Sequence, residues 1–143
     1  LVIVGNGPER AALETKARKE LGKRFVLTGS LSHGDTYAVM AHADVFVLNS
    51  TYEGMSHTLI EALTLGLSIA ASDIGGNREV LKNEDNGLLV PPENPRALAN
   101  ALARMLTDSA LRTRLAIRAK ESSLDFSVEA MLAKVSELLT KFV

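Results

Sequence analysis

The hydrophobic positions of this chain alternate between short apolar runs and longer segments with helical spacing. Residues 45–48, Val-Phe-Val-Leu, are apolar at every position, which is typical of a parallel strand buried on both faces. Strands are predicted at residues 1–4, 25–28, 45–48, 68–71 and 87–90. Apolar residues that recur every three or four positions predict helices between these runs. Three more helices are predicted at the end, at 95–106, 109–124 and 128–142.

This alternation of strands and helices predicts an α/β fold. Units of this length are typical of a Rossmann-like, doubly wound parallel sheet with helices on both faces. The 143 residues suffice for one domain and not comfortably for two. Ligands in such sheets bind beyond the carboxyl ends of the strands. We therefore expect the functional loops after Val4, Thr28, Leu48, Ala71 and Val90.

Composition narrows the classes of function. A net charge of −1 gives no sign of a nucleic-acid-binding surface or a polybasic membrane patch. Cysteine is absent, which excludes disulfides, thiolate metal sites and cysteine nucleophiles and fits a cytoplasmic location. No apolar run approaches the roughly 20 residues of a membrane helix. Because the first residue is Leu1 and not Met, we expect a fragment of a longer chain.

The first loop is rich in glycine. A dinucleotide-binding fingerprint would need a third glycine where Arg10 stands, and an acidic residue where Thr28 ends the next strand. The segment from Gly5 to Pro8 therefore favours a tight turn that leads into a helix, with Pro8 in its first turn. Glycine still leaves room for a ligand, so Gly7 is a candidate contact.

The loop after the third strand holds two carboxylates, Glu53 and Glu61, separated by seven residues. The helix that follows is predicted from about Thr58, and its start offers N–H groups that suit a diphosphate. A carboxylate in its first turn can accept both hydroxyls of a ribose, and one in the loop can stabilise positive charge on an anomeric carbon. Two alternatives stay open: Thr58 and Glu61 match a capping box, and Glu53 can be a solvated loop charge.

Other polar and sulfur-containing residues are assigned structural roles. Asp73 and the following Gly75-Gly76 are predicted to form a tight bend in preference to a ligand contact. Arg78 is the nearest basic residue to the strand-end loops, and we expect it at the surface. The apolar helical patterns around three methionines predict core positions for Met40, Met105 and Met131.

The segment that contains both carboxylates resembles the E-x7-E signature of the retaining glycosyltransferases of family 4, which have the two-domain GT-B architecture. The signature residues are Glu53-Gly54-Met55-Ser56, Leu59-Ile60-Glu61-Ala62 and Gly66. Flanking blocks extend the resemblance over nearly the whole chain: Gly5-x-Gly7-Pro8, the strand ending at Gly29, Ala43-Asp44-Val45-Phe46-Val47, Ser50, Ala71-Ser72-Asp73, Gly75-Gly76-x-x-Glu79, residues 86–92 and Phe126-Ser127. The spacing alone would be weak, and its position between these blocks makes it specific.

The resemblance implies a role for each matching residue. Glu53 would be the catalytic residue that contacts the transferred sugar, and Glu61 would bind the ribose hydroxyls. The remaining donor contacts would come from Gly54, Met55 and Ser56 to the sugar, from Thr58 and Leu59 to the diphosphate, and from Gly29, Ser30 and Leu31 to the base. The resemblance implies no metal and no cofactor, and we expect a UDP-sugar donor ahead of a GDP-sugar donor.

The resemblance also implies a larger parent protein. Residues 1–143 would be its C-terminal donor domain, without the first β-α unit, whose basic residues neutralise the diphosphate, and without the N-terminal acceptor domain. The parent would transfer a sugar to a glycan, a lipid-linked glycan or a polysaccharide precursor, in the cytoplasm or at the cytoplasmic face of a membrane reached through the other domain. The fragment alone would be inactive.

Two alternatives to this transferase stay open: a non-catalytic sugar-nucleotide-binding module and a GT-B-like sugar-nucleotide epimerase. We also expect the last helix to have a partly bare apolar face in this fragment, with Met131, Val135, Leu138 and Leu139 among the residues on it. Such a face favours self-association.

Overall fold

The computed structural model describes residues 1–141. The chain divides into two compact units, Leu1–Val39 and Met40–Val143. Each unit contains parallel strands connected by helices, and the architecture is α/β and Rossmann-like. The described strands form a two-stranded sheet and a three-stranded sheet. The parallel pairing predicted from the sequence is confirmed, but the strands are hydrogen-bonded into two separate sheets.

The first unit is a strand–helix–strand arrangement. Strand β1, Val2–Val4, pairs in parallel with β2, Val26–Gly29, and helix α1, Arg10–Leu21, connects them. Helix α1 stops at Gly22, as predicted, because Gly22 adopts φ 58° and its N–H bonds the carbonyl of Arg18. The helix starts later than predicted, after Glu9, so Pro8 precedes its first turn.

The second unit is built on a three-stranded parallel sheet in the order β3-β4-β5. Its strands are β3, Phe46–Leu48; β4, Ile69–Ser72; and β5, Leu88–Val90. The helices that complete the chain are α2, His33–Ala41; α3, His57–Thr64; α4, Gly75–Arg78; α5, Pro95–Thr107; α6, Ser109–Ser122; and α7, Val128–Thr140. Every predicted strand is present within one residue of its predicted ends.

Polar residues placed just before the later helices explain where those helices begin. Asn94 accepts a hydrogen bond from Ala97 N at 3.0 Å, and Pro95 occupies the first position of α5. Asp108 caps α6 in the same way, through a 2.8 Å bond from Leu111 N. Ser127 caps α7. These caps satisfy backbone N–H groups that have no partner inside a helix.

The central strand β4 is buried on both faces. Ile69 and Ala71 join one core cluster with residues of α3, whereas Ala70, on the opposite face, joins a second cluster with residues of α5 and α6. Fully buried Leu59 and Leu115 lie in the first and second clusters, respectively. Helices therefore cover both faces of this sheet, which is why its central strand has no polar face.

The apolar face of α7 is exposed, as expected from the sequence. Val135, Leu138 and Leu139 are all at least 46% exposed, and α7 contains no buried residue. Met131 is 55% exposed, so its predicted core position is wrong: its helical spacing is apolar, but no described residue covers this face. Met40 and Met105 are buried, as predicted. The predicted end of this helix, at Phe142, lies outside the described residues.

Candidate functional site

The loop after β3 begins with a buried polar link between neighbouring strands. Ser72, at the end of β4, is fully buried, and its Oγ donates to Asn49 Oδ1, just after β3, at 3.2 Å. The carbonyl of Ser72 accepts a 2.8 Å hydrogen bond from Asn77 Nδ2. This network fixes the start of the loop at the carboxyl end of the sheet, the edge where parallel α/β sheets bind ligands.

The carboxylate of Glu53 is held by a neighbouring hydroxyl. Ser50 Oγ donates a hydrogen bond to Glu53 Oε1 at 2.7 Å, and Glu53 is half-buried. Hydrogen bonds to an ionised carboxylate are stronger than those between neutral groups. Glu53 is therefore an oriented carboxylate, and the alternative of a freely solvated loop charge does not describe it.

Helix α3 begins one residue earlier than the sequence predicted. Ser56 is its N-cap, and its Oγ accepts from Leu59 N at 3.4 Å. Thr58 is consequently the second helical residue and not the cap, so the capping-box alternative for Glu61 is wrong. Glu61 is the fifth residue of α3 and lies in its second turn, not in the first turn as predicted.

The start of α3 offers a different set of backbone donors from the predicted set. The N–H of Leu59 already bonds Ser56, through both its carbonyl at 3.1 Å and its hydroxyl. The N–H groups of His57 and Thr58 have no hydrogen-bond acceptor among residues 1–141. The predicted diphosphate contact at Thr58 therefore fits this geometry better than the one at Leu59.

The rest of this loop lies mostly at the surface, and its backbone contacts α4. Gly54 and Met55 are exposed, and Ser56, the N-cap of α3, is 5% exposed. Gly76, in α4, is buried directly against the backbone of Glu53 and Gly54. The glycine pair in the sequence predicted only a bend here, and this contact was missed.

The first unit places its own candidates at the ends of β1 and β2. Gly5 N donates to Gly29 O at 2.9 Å, and Gly7 O accepts from Arg10 N at 3.1 Å, so the tight turn lies at residues 7–10 and not at residues 5–8 as predicted. Gly29 is buried with φ 77°, a conformation that favours glycine. Ser30 is exposed and Leu31 half-buried. These residues share the strand-end location expected of base contacts.

Arg10 is a basic residue at a strand end that the sequence did not single out as a candidate site residue. Its Nη2 donates to Leu27 O at 3.4 Å, and its Nη1 lies 3.0 Å from the position that a Cβ on Gly29 would occupy. A guanidinium therefore covers the carboxyl end of β2. Its signal in the sequence is a long basic side chain at the first helical position after a glycine-rich loop, a position where the dinucleotide pattern would place glycine.

Arg78 is engaged at the surface, as expected. Its Nε lies 2.6 Å from Asp73 Oδ1, and Arg78 is exposed. The hydrogen bond and the positive charge of Arg78 hold the pKa of Asp73 below its usual range. Because this pair is already neutralised, Arg78 is a poor partner for a diphosphate. Within residues 1–141, no group of three or more His, Asp or Glu residues is arranged to hold a metal ion.

Comparison with solved structures establishes the class of fold. The chain superposes on sucrose-phosphate synthase from Thermosynechococcus elongatus with a TM-score of 0.84 and 32% identity, over 99% of this chain and 38% of that one. It superposes on HepE from Anabaena in complex with UDP with a TM-score of 0.85 and 24% identity, over 98% and 40% of the two chains. The predicted Rossmann-like class, that of a GT-B glycosyltransferase domain, is therefore confirmed.

Comparison of sequences establishes the family. Residues 1–122 match the family model described as glycosyl transferases group 1, and the chain belongs to this family. A lipopolysaccharide core biosynthesis glycosyltransferase from Rhizobium meliloti is 30% identical over 140 residues, which are 97% of this chain and 41% of that protein. The chain thus spans less than half the length of the relatives it matches. No helix of the described residues is long and apolar enough to cross a membrane.

Proposed function

We propose that this chain is the nucleotide-sugar-binding domain of a retaining glycosyltransferase of family 4. The observation that carries the proposal is the Glu53 carboxylate, oriented by Ser50 at 2.7 Å, between the end of β3 and the start of α3. Membership in glycosyl transferases group 1 supports sugar transfer as the reaction class. The structural likeness to HepE, which was solved in complex with UDP, supports a UDP-sugar ahead of a GDP-sugar as donor.

In this proposal the two carboxylates and the start of α3 each bind a different part of the donor. The N–H groups of His57 and Thr58 and the positive end of α3 bind the diphosphate, whose negative charge they stabilise. Glu61, one turn further along α3, accepts the ribose hydroxyls. Glu53 contacts the sugar and stabilises positive charge that develops at the anomeric carbon when its bond to the diphosphate breaks. An acceptor hydroxyl then forms the new bond to that carbon on the face from which the diphosphate leaves, and its proton passes to the leaving diphosphate, so the configuration at the anomeric carbon is retained.

The proposal extends to partners and location. The acceptor binds to an N-terminal domain of the same parent protein, and glycans, lipid-linked glycans and polysaccharide precursors are the acceptor classes that we propose. The enzyme works in the cytoplasm or at the cytoplasmic face of a membrane. Basic side chains, and no metal or cofactor, offset the charge of the leaving diphosphate.

The test is an activity assay on the natural protein that contains this chain. The protein is incubated with UDP-glucose, UDP-N-acetylglucosamine, UDP-galactose or GDP-mannose and with acceptors from each proposed class, with and without EDTA, and products are separated by mass and by anomeric configuration. We expect release of nucleoside diphosphate, transfer with retention, and no effect of EDTA. Epimerised donor would favour the epimerase, and nucleotide binding without any turnover would favour the non-catalytic module. Loss of activity in EDTA, restored by Mg²⁺, would contradict the metal-free part.

A further inference from the structure

Gly76 leaves no room for a side chain. A Cβ built on Gly76 would lie 1.8 Å from Gly54 O, 2.5 Å from Glu53 O and 2.6 Å from Gly54 C. All three are backbone atoms, so no side-chain rotation can relieve the overlap. The neighbouring Gly75 differs, since a Cβ there meets nothing within 4 Å. The contact is therefore specific to one of two adjacent glycines.

Gly76 cannot easily retreat from the loop, because α4 is anchored on its other side. The next residue, Asn77, is fully buried, and its Nδ2 donates to Ser72 O at 2.8 Å. The backbone N–H groups of Asn77 and Arg78 both bond Ile74 O, at 3.1 and 3.0 Å. Breaking the buried bond to Ser72 would leave polar groups without partners. A larger residue at position 76 is thus expected to move the Glu53–Gly54 backbone.

We propose that Gly76 is a positioning residue for Glu53, and this inference rests on the proposed function. Because Gly76 has no side chain, the loop can pack closely against α4, in the position where Ser50 Oγ donates its hydrogen bond to the Glu53 carboxylate. Alanine at this position must open the contact with Gly54 O by at least about 1.2 Å, from 1.8 Å to the 3.0 Å below which such contacts essentially never occur. A displacement of about 1 Å at a reacting group can cost roughly 10²-fold in rate.

The kinetic test compares Gly76→Ala with the matched control Gly75→Ala in the natural protein. We expect Gly76→Ala to lower kcat by about 10²-fold, with little change in the affinity for free UDP, because UDP lacks the sugar that Glu53 contacts. Gly75→Ala should resemble the wild type in both measurements. In a Glu53→Gln background, Gly76→Ala should have little further effect, because the group that it displaces is already disabled.

The structural test is independent of activity. A crystal structure of Gly76→Ala should show the Glu53–Gly54 backbone displaced and the Ser50–Glu53 hydrogen bond lengthened. An unmoved loop would overturn the inference, as would equal losses of kcat and UDP affinity or additive effects with Glu53→Gln. If the wild type binds UDP but transfers no sugar, the proposed function fails. The crystal structure of Gly76→Ala then decides by itself whether Gly76 positions Glu53, because it shows whether the loop has moved.

A second variant guards against failure of Gly76→Ala to fold. Asn77→Ala removes the anchor that holds α4 against the loop and introduces no overlap with Glu53 or Gly54. We expect a several-fold fall in kcat with free UDP affinity retained, while Arg78→Ala, in the same helix but exposed, stays near the wild type. Wild-type kcat in Asn77→Ala would overturn the inference.

Discussion

Replacing Ser50 with alanine removes the hydrogen bond that orients Glu53 and leaves every backbone group in place. The bond is 2.7 Å long and joins a hydroxyl donor to a carboxylate. Hydrogen bonds to charged groups contribute about 1.5–3 kcal/mol. Because Glu53 is only half-buried, water can partly replace the hydroxyl, so we take the lower end of this range. About 1.4 kcal/mol corresponds to a tenfold change in rate.

We therefore expect Ser50→Ala to lower kcat about tenfold in the natural protein, with free UDP affinity unchanged. Initial-rate kinetics gives kcat and KM for the donor, and calorimetry gives the Kd for UDP. Ser50→Thr keeps a hydroxyl and should recover most of the rate, and Ser122→Ala, which removes a hydroxyl bonded to the carbonyl of Arg118, serves as the control. A wild-type kcat in Ser50→Ala, or a parallel loss of UDP binding, would refute the reasoning.

Three further predictions concern stability and the isolated chain. Leu59→Ala, at a fully buried position of α3, should lower the free energy of unfolding by about 2–5 kcal/mol in urea titrations, and a loss below about 1 kcal/mol would contradict the core assignment. The Arg104 hydrogen bond holds the pKa of Glu84 below its usual range, so its stabilisation is present above the unfolded pKa, roughly 4, and is lost as pH falls through the folded value. Between about pH 5 and pH 2 the free energy of unfolding should fall in both proteins, but by less in Arg104→Met than in the wild type. We expect the two falls to differ on the order of a few tenths of a kcal/mol, and equal falls would contradict this linkage. The chain of residues 1–143 alone should release no sugar from UDP-sugars in a radiometric assay, because orientation of donor and acceptor supplies roughly 7–11 kcal/mol of the barrier; clear transfer by this chain would overturn the two-domain interpretation.

The strands could be predicted because each is a short apolar run bounded by turn-forming residues. Residues 45–48 show this well: β3 spans Phe46–Leu48, between Asp44 and Asn49. Helix starts were harder, because Ser56 and Thr58 are both good caps and the local pattern does not choose between them. In the structure Ser56 is the N-cap, and its hydroxyl accepts a hydrogen bond from Leu59 N. Glu61 therefore lies in the second turn of α3.

The missed features depend on contacts between residues distant in the chain. Gly76 packs against Gly54, 22 positions earlier, and hydrophobic periodicity carries no information about such a contact. Met131 has the spacing of a core residue, but burial depends on what covers a helix, and its apolar neighbours on α7 are exposed too. Arg10 breaks the dinucleotide motif, and its position over Gly29 follows only from the pairing of β1 with β2.

The most direct test of the donor-site proposal is calorimetric titration of free UDP into the wild type, Glu61→Gln and Glu53→Gln. We predict that Glu61→Gln weakens UDP binding about tenfold or more, as expected for the loss of charged hydrogen bonds to the ribose, at about 1.5–3 kcal/mol. Glu53→Gln should bind free UDP as the wild type does, because it contacts only the sugar. Unchanged UDP affinity in Glu61→Gln, or a loss confined to Glu53→Gln, would contradict the proposed division of the donor between the two carboxylates.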